Sequence, residues 1–391
     1  MTNSKCTFYL TVVFAVFILL SAIYALFIYK TDYLNIYVVY YKPAPLIKTD
    51  IFTPIQGGRK IVNTPSRQGT FTKEDIAWLK DNMIGDDTGD NISELNRNFS
   101  EITALYWIWK NTSSPFVGMF HYRRFLSINN NAHYPMVEFP SMRMRHLGLN
   151  HLKGFAHEFL HDLELEKKYI LPWFATHDIL LSEPINLSKD SVPLTPYQQY
   201  EKEHVIADLD KALEIIKKQY PEMYMFAKET LNGTEGFYPT NMFITRREIL
   251  NGYAKWLFSI LFPLYDEIKD EVNARDTEQK LAFAYLSERL FTVYFRYQAK
   301  YNGLRIKEFP FALASNFFTP PSDAPFITLK TPQFEDIFID QKDGRICSFN
   351  NEYRNCGKFN FLPLNRLRVR WDNGGTEYFK HSQGNEFILE K

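Results

Sequence analysis

"VGMFHYRRF", residues 117–125, is a short apolar run that ends in His121, Tyr122, Arg123 and Arg124. Such a run reads as a buried strand, and the carboxyl end of a strand is where an open α/β sheet meets its ligand. Two adjacent arginines supply planar, permanently charged forks suited to a diphosphate, while His121 and Tyr122 can donate, accept or stack. Neighbouring side chains on a strand point to opposite faces, so both arginines reach one ligand only if the strand has already ended. The alternative is that both pair with carboxylates at the edge of the core.

Three other groups of residues have chemistry to offer. The stretch "GDDTGDNIS" (85–93) carries Asp86, Asp87, Asp90 and Asn91, whose oxygens suit Mg²⁺ or Mn²⁺, although a solvated turn explains the same residues. His204 and Asp208 stand four apart in a segment that reads as one amphipathic helix over 203–220. That spacing puts them on one face, for acid/base work or for hydrogen bonding a sugar hydroxyl, with a plain surface pair as the alternative. Glu288 and Arg289 interrupt an otherwise apolar helix expected over 276–295. Glu288 is there either as a base with a shifted pKa or as half of an ion pair that pins the helix. "HEFLH" (157–161) matches the zinc pattern H-E-x-x-H letter for letter. It sits in a mixed-charge helical stretch, and a match this short arises readily by chance.

The elements that must position these groups alternate. "LNIYVVYY" (34–41), "FVGMFHY" (116–122), "HDILLSEP" (177–184) and Thr240–Thr245 read as strands. Between them run helices, one opening at Thr72 and Asp75 in capping-box spacing and one with Ile102, Leu105, Tyr106 and Trp109 on its apolar face. Residues 129–168 read as irregular and then helical. Alternation of this kind predicts an α/β fold with helices on both faces of the sheet. From about residue 325 the texture changes to short β runs around "QKDGR", "NNEYRNCG" and "WDNGG", a small antiparallel β module. The expected organisation is 1–30, 31–324 and 325–391.

The first of these segments is an anchor. Cys6–Tyr29 is an unbroken uncharged run, long enough to cross a hydrocarbon core of roughly 30 Å, and no small-residue cleavage site follows it. It predicts a single-pass membrane protein, with the side on which the body lies left open by the near balance of flanking charge. Lysine plus arginine equal aspartate plus glutamate, 45 against 45, which excludes the broad positive field of a nucleic-acid binder. Of the three cysteines, Cys6 lies in the anchor, while Cys347 and Cys356 either bridge a hairpin or stay as thiols. Five Asn-x-Ser/Thr triplets, at Asn91, Asn98, Asn111, Asn186 and Asn232, would matter only in a secretory lumen.

Taken in order, the 85–111 block, "VGMFHYRRF", the set Tyr200, His204, Asp208 and Leu209, "NMFI" (241–244) and "ERL" (288–290) resemble the bacterial capsule and exopolysaccharide glycosyltransferases known as domain of unknown function 4422. The resemblance covers roughly residues 34–310. It departs from the family at Lys42-Pro43, where a histidine is usual, in the long segment 129–168, and in the anchor. It implies a GT-A-type transferase that moves a sugar from a nucleotide-sugar donor to a glycan acceptor; some relatives use UDP-galactofuranose. On that reading His121, Tyr122, Arg123, Arg124, Asp87, Asn91 and Asn241 bind the donor, and His204 serves the acceptor side. Asp208 or Glu288 is the base, and the displacement inverts the anomeric centre. Arginine takes the place of the metal that an Asp-x-Asp motif would hold, so no cofactor is required; Asp86 and Asp87 hold Mg²⁺ or Mn²⁺ in the alternative. The rival is a non-catalytic glycan-binding protein whose β module presents Trp371, Tyr378 and Phe379 for stacking.

Overall fold

Leu34–Tyr40 (β1) is rich in β-branched and aromatic residues and almost wholly buried, the pattern of a strand covered on both faces. In the computed structural model of the chain it lies at the centre of a mixed sheet. The structure describes residues 13, 14, 16, 33–65, 70–132, 136–139, 142–148, 159–185, 188–189, 192–315, 328–330, 337–340, 345–349, 354–362, 366–371, 375–381 and 386–389. By internal contacts the chain divides into two units, 1–145 with 155–313, and 146–154 with 314–391.

In the first unit β1 pairs in parallel with Phe52–Gln56 (β2), which pairs in parallel with Ile84–Gly85 (β3). On its other side β1 pairs in parallel with Phe116–His121 (β4). Arg124–Leu126 (β5) turns back from β4, and Met136–Phe139 (β6) with Met142–Gly148 (β7) form a hairpin inside the stretch expected to be irregular. Ile179–Ser182 (β8) comes next in the chain, and Ser188–Lys189 (β9) with Val192–Pro193 (β10) form a separate two-stranded ladder. Phe243–Arg246 (β11) runs antiparallel between β4 and β8, and Ile306–Phe309 (β12) continues in parallel beyond β8. Phe311–Ser315 (β13) pairs with β5. Gly118 permits the close approach of β11 to β4, because a Cβ there would stand 2.9 Å from the Phe243 carbonyl oxygen.

The helices form where their signals lie. Thr72 and Asp75 make the expected reciprocal cap, Thr72 Oγ1 accepting from the Asp75 amide and Asp75 from the Thr72 amide, each at 3.1 Å. Helix Ile102–Asn111 buries Ile102, Leu105, Tyr106 and Ile108 against the long helix Arg247–Ala274, where Trp109 stacks on Phe258. Three further expectations fail. The helix expected over 276–295 runs from Ala282 to Asn302. The single helix over 203–220 is two, Pro196–Glu203 and Ile206–Gln219, with His204 closing the first and Val205 opening the second. The strand expected from Thr240 starts at Phe243, because Thr240 and Asn241 adopt left-handed φ values of 68° and 52°.

In the second unit Thr328–Lys330 (β14), Ile337–Asp340 (β15), Arg345–Phe349 (β16), Arg354–Leu362 (β17), Arg366–Trp371 (β18), Thr376–His381 (β19) and Glu386–Leu389 (β20) form one sheet in the order β14-β20-β19-β18-β17-β16-β15. Every pairing along it is antiparallel except β14 with β20. Phe379 is buried and Tyr378 exposed, as alternation on a strand requires.

Among the described residues no helix is long and apolar enough to cross a membrane. The expected span, Cys6–Tyr29, lies outside them apart from Val13, Phe14 and Val16, which are helical and exposed.

Candidate functional site

Strands β3, β2, β1 and β4 run in one direction, so Gly85, Gln56, Tyr40 and His121 end along one edge of the sheet. The chain builds β2 and β3 on one side of β1 before placing β4 on the other. The gap between the carboxyl ends of β1 and β4 is thus a topological switch point, where an open α/β sheet leaves a crevice. Because β11 runs antiparallel to β4, the turn that precedes it, Thr240-Asn241, arrives at the same edge.

That turn is tied down from three sides. His121 Nε2 donates to the Thr240 carbonyl at 2.6 Å, which places the ring proton on Nε2, since a carbonyl only accepts. The Thr240 amide donates to Glu288 Oε1 at 2.7 Å, and Asn241 Nδ2 donates to Glu101 Oε1 at 3.0 Å and to Ser287 Oγ at 2.9 Å. Left-handed φ at a β-branched residue costs about 1–3 kcal/mol, and these bonds hold it. Burial pulls His121 down to about 4, with Arg124 and Arg123 adding to the effect and Glu101 opposing it. Burial pushes Glu288 up, offset by Arg289, whose Nη1 donates to Glu288 Oε2 at 3.0 Å.

β4 ends at His121, and His121 pairs directly with Arg124 across a tight turn formed by Tyr122 and Arg123. The alternation that would have sent Arg123 and Arg124 to opposite faces is therefore broken between them. Among the described residues neither guanidinium makes a hydrogen bond or an ion pair, and Arg123 Nε is buried without a partner. Burial and the neighbouring Arg123 lower the proton affinity of Arg124, while Glu288 and Glu101 counter them. Two neighbouring guanidinium groups at the switch point, with no hydrogen-bonded partner among the described residues, suit an anion. Tyr122 is buried beside Tyr40 and Tyr41, with Arg123 over its ring. Burial raises its phenol to about 12, so it remains neutral.

The other expected site residues fall in different places. Asp208 is buried, and both its oxygens accept from Arg275, at 2.5 and 2.8 Å, joining the start of helix Ile206–Gln219 to the end of Arg247–Ala274. His204 and Asp208 belong to different helices, so the shared face inferred from their spacing does not exist. His204 stacks instead on Tyr285, ring centroids 4.0 Å apart, with Tyr200 beside it and Nδ1 buried without a partner. Burial, reinforced by Arg289, lowers it to about 4. Arg289 bonds to Glu288 and to Gln199 and lies over the Phe237 ring.

Asp86 is fully buried at the end of β3 and accepts from the Gly58 amide at 2.8 Å, the Arg59 amide at 3.1 Å, Ser93 Oγ at 2.5 Å and Thr103 Oγ1 at 2.6 Å. Four donors hold it, so it fastens the loop after β2. Asn91 Nδ2 bonds to the carbonyls of Asp87 and Gly89, and Asp90 accepts from the Tyr106 hydroxyl at 3.0 Å. Among the described residues no group of three His, Cys, Asp or Glu side chains converges on a point that could hold a metal ion. His157 and Glu158 of the zinc-like pattern lie outside the described residues, and His161 faces Glu166 at 3.2 Å.

Two residues of the site were not evident in the sequence. Glu101, just before helix Ile102–Asn111, bonds Asn241 and opposes the charge of both His121 and Arg124. Thr240 joins His121 to Glu288 through its backbone, a role that no side-chain pattern announces.

The model of a family described as "Domain of unknown function (DUF4422)" matches residues 35–299. A solved apo structure of WbbM, a bifunctional glycosyltransferase, is similar at 28% identity and a TM-score of 0.59, over 76% of this chain and 49% of that one. The chain thus spans about half the length of that neighbour. No curated protein matches.

Proposed function

The chain belongs to the family described as domain of unknown function (DUF4422), and from that premise we propose that it is a glycosyltransferase. It moves a sugar from a nucleotide-sugar donor to a glycan acceptor. One observation carries the reading: Arg123 and Arg124 stand at the switch point of the sheet with no guanidinium hydrogen bond or ion pair among the described residues, a cationic seat for the donor diphosphate. The donor class is a UDP-sugar, UDP-galactofuranose among the candidates, and residues 6–29 anchor the protein in a membrane.

In this mechanism an acceptor hydroxyl attacks the anomeric carbon and gives its proton to Glu288. The bond from that carbon to the diphosphate oxygen breaks, and its electron pair leaves with the nucleoside diphosphate. Arg123 and Arg124 meet the charge that develops there. Glu288 suits the base because burial raises its proton affinity and because Arg124 is near enough to act on it. Both Glu288 oxygens also accept, from the Thr240 amide and Arg289 Nη1, but Asp208 is the weaker choice because one guanidinium, Arg275, grips it with a bidentate fork. Neutral His121 holds the Thr240 carbonyl, which keeps the Thr240 amide on Glu288. His204 and Tyr285 form a stacked wall that suits a sugar face on the acceptor side.

The test follows nucleoside diphosphate release by residues 31–391 from a panel of UDP-, GDP- and dTDP-sugars, with a mixed glycan acceptor, with and without EDTA. Release from one donor that survives EDTA is expected. Release abolished by EDTA and restored by Mn²⁺ overturns the role given to the arginines. Sugar-specific binding of glycans with no turnover of any donor overturns the transferase.

A further inference from the structure

Of the three cysteines in the chain, two lie in the second unit, outside the residues matched by the family, so nothing said of the transferase body bears on them. Nine positions separate Cys347 from Cys356 in sequence, a spacing that by itself fits a bridge or two thiols equally well. The sheet register brings the two positions opposite one another. β16 and β17 are antiparallel neighbours, and Cys347 is the direct cross-strand partner of Cys356, flanked by the pairs Ile346↔Gly357 and Ser348↔Asn355. Directly opposed residues of an antiparallel pair have Cα atoms roughly 4.5–5.5 Å apart, inside the span that a disulfide bridges. A slip of one residue would have placed Cys347 opposite Asn355 or Gly357.

We propose that Cys347 and Cys356 form a cross-strand disulfide that staples β16 to β17 when the protein meets a disulfide oxidant. Two features of the unit favour it. Its sheet is assembled mainly from short antiparallel strands, and a sheet this small gains from a covalent tie. The flank of β17 opposite β16 is occupied by β18, so the register is held on both sides. The step is thiol–disulfide exchange. One cysteine thiolate attacks oxidised glutathione and releases one glutathione thiolate; the second cysteine then attacks the mixed disulfide and releases the other. Two protein thiols lose two protons and two electrons, one S–S bond forms, and one oxidised glutathione becomes two reduced ones. The bond persists where the compartment is oxidising and opens in a reducing one.

The experiment uses the full chain carrying Cys6→Ser, solubilised in detergent and equilibrated in a glutathione buffer dominated by the oxidised form. The protein is then acid-quenched, alkylated under denaturing conditions, digested without reductant and mapped by mass spectrometry. The expected result is a single pair of peptides joined through Cys347 and Cys356, neither residue alkylated, with the pair released by dithiothreitol. Cys347→Ser and Cys356→Ser, each in the same background, should instead carry one glutathione on the remaining cysteine. Alkylation of both cysteines in the parent protein, separate glutathionylation of each, or disulfide-linked dimers would each overturn the proposal. Circular dichroism of every sample confirms that the sheet is folded, so that an unbridged pair cannot be ascribed to an unfolded module.

Discussion

Replacing Arg124 by alanine removes a guanidinium that Glu288 and Glu101 act on at a distance but that makes no hydrogen bond or ion pair among the described residues, so the fold has less to lose than catalysis. Arg124→Ala should lower kcat/KM by about 10²–10³-fold, on the order of 2–4 kcal/mol of transition-state stabilisation, with the melting temperature unchanged. A fall in melting temperature with kcat/KM preserved would make the residue structural. Glu288→Gln should cost about 10²–10⁴-fold in kcat if it takes the acceptor proton, as steady-state rates at saturating donor would measure. His121 leads to a pH prediction. Its pKa is lowered from 6.5 to about 4 in the folded state, so between these values the unfolded chain binds a proton that the folded chain refuses. Its contribution to stability is complete above 6.5 and is lost as the pH falls toward 4; His204 acts in the same direction, and Glu288, whose pKa is raised, in the opposite one. Urea midpoints of His121→Gln should fall less steeply over that window than those of the parent.

At the scale of elements, the Asp208–Arg275 pair is a clamp between helices, in a setting where Arg275 is only slightly exposed. Asp208→Asn should destabilise the protein by about 3–5 kcal/mol, because it leaves a largely buried guanidinium without its counter-charge. The kcat of the molecules that remain folded should be close to that of the parent, measured as rate per folded fraction below the denaturation midpoint. Loss of kcat at full stability would return Asp208 to the chemistry. Gly118→Ala drives a methyl group against the backbone of β11, which cannot step aside as a side chain would. The expected cost is about 1–3 kcal/mol in chemical denaturation, and a shift of the Thr240-Asn241 turn should weaken donor turnover with it.

The whole molecule joins two units to an expected membrane span. Removal of residues 1–30 should move the protein from the carbonate-resistant membrane pellet to the supernatant while leaving nucleoside diphosphate release intact; a soluble full chain would refute the anchor. The periodicity of single segments was enough to announce β1, β4, the capped helix at Thr72 and the antiparallel β module, because apolar patterning and turn residues are local properties. The polar end of "VGMFHYRRF" likewise marked the candidate site, since the end of a buried strand is where such residues need a purpose. The break between the helices at His204, the left-handed Thr240 and the hairpin within 129–168 were not legible, because each depends on what packs around it. The sequence by itself determined the strands β1 and β4, the capped helix at Thr72 and the β module, and that His121–Arg124 lie where β4 ends. Only the tertiary structure decided that Glu101, Thr240 and Glu288 converge there, that Asp208 and Asp86 are engaged by structural bonds, and that Cys347 is the register partner of Cys356. Those facts rest on contacts between residues far apart in the chain, or on strand register, and neither composition nor spacing encodes which carboxylate another element will neutralise.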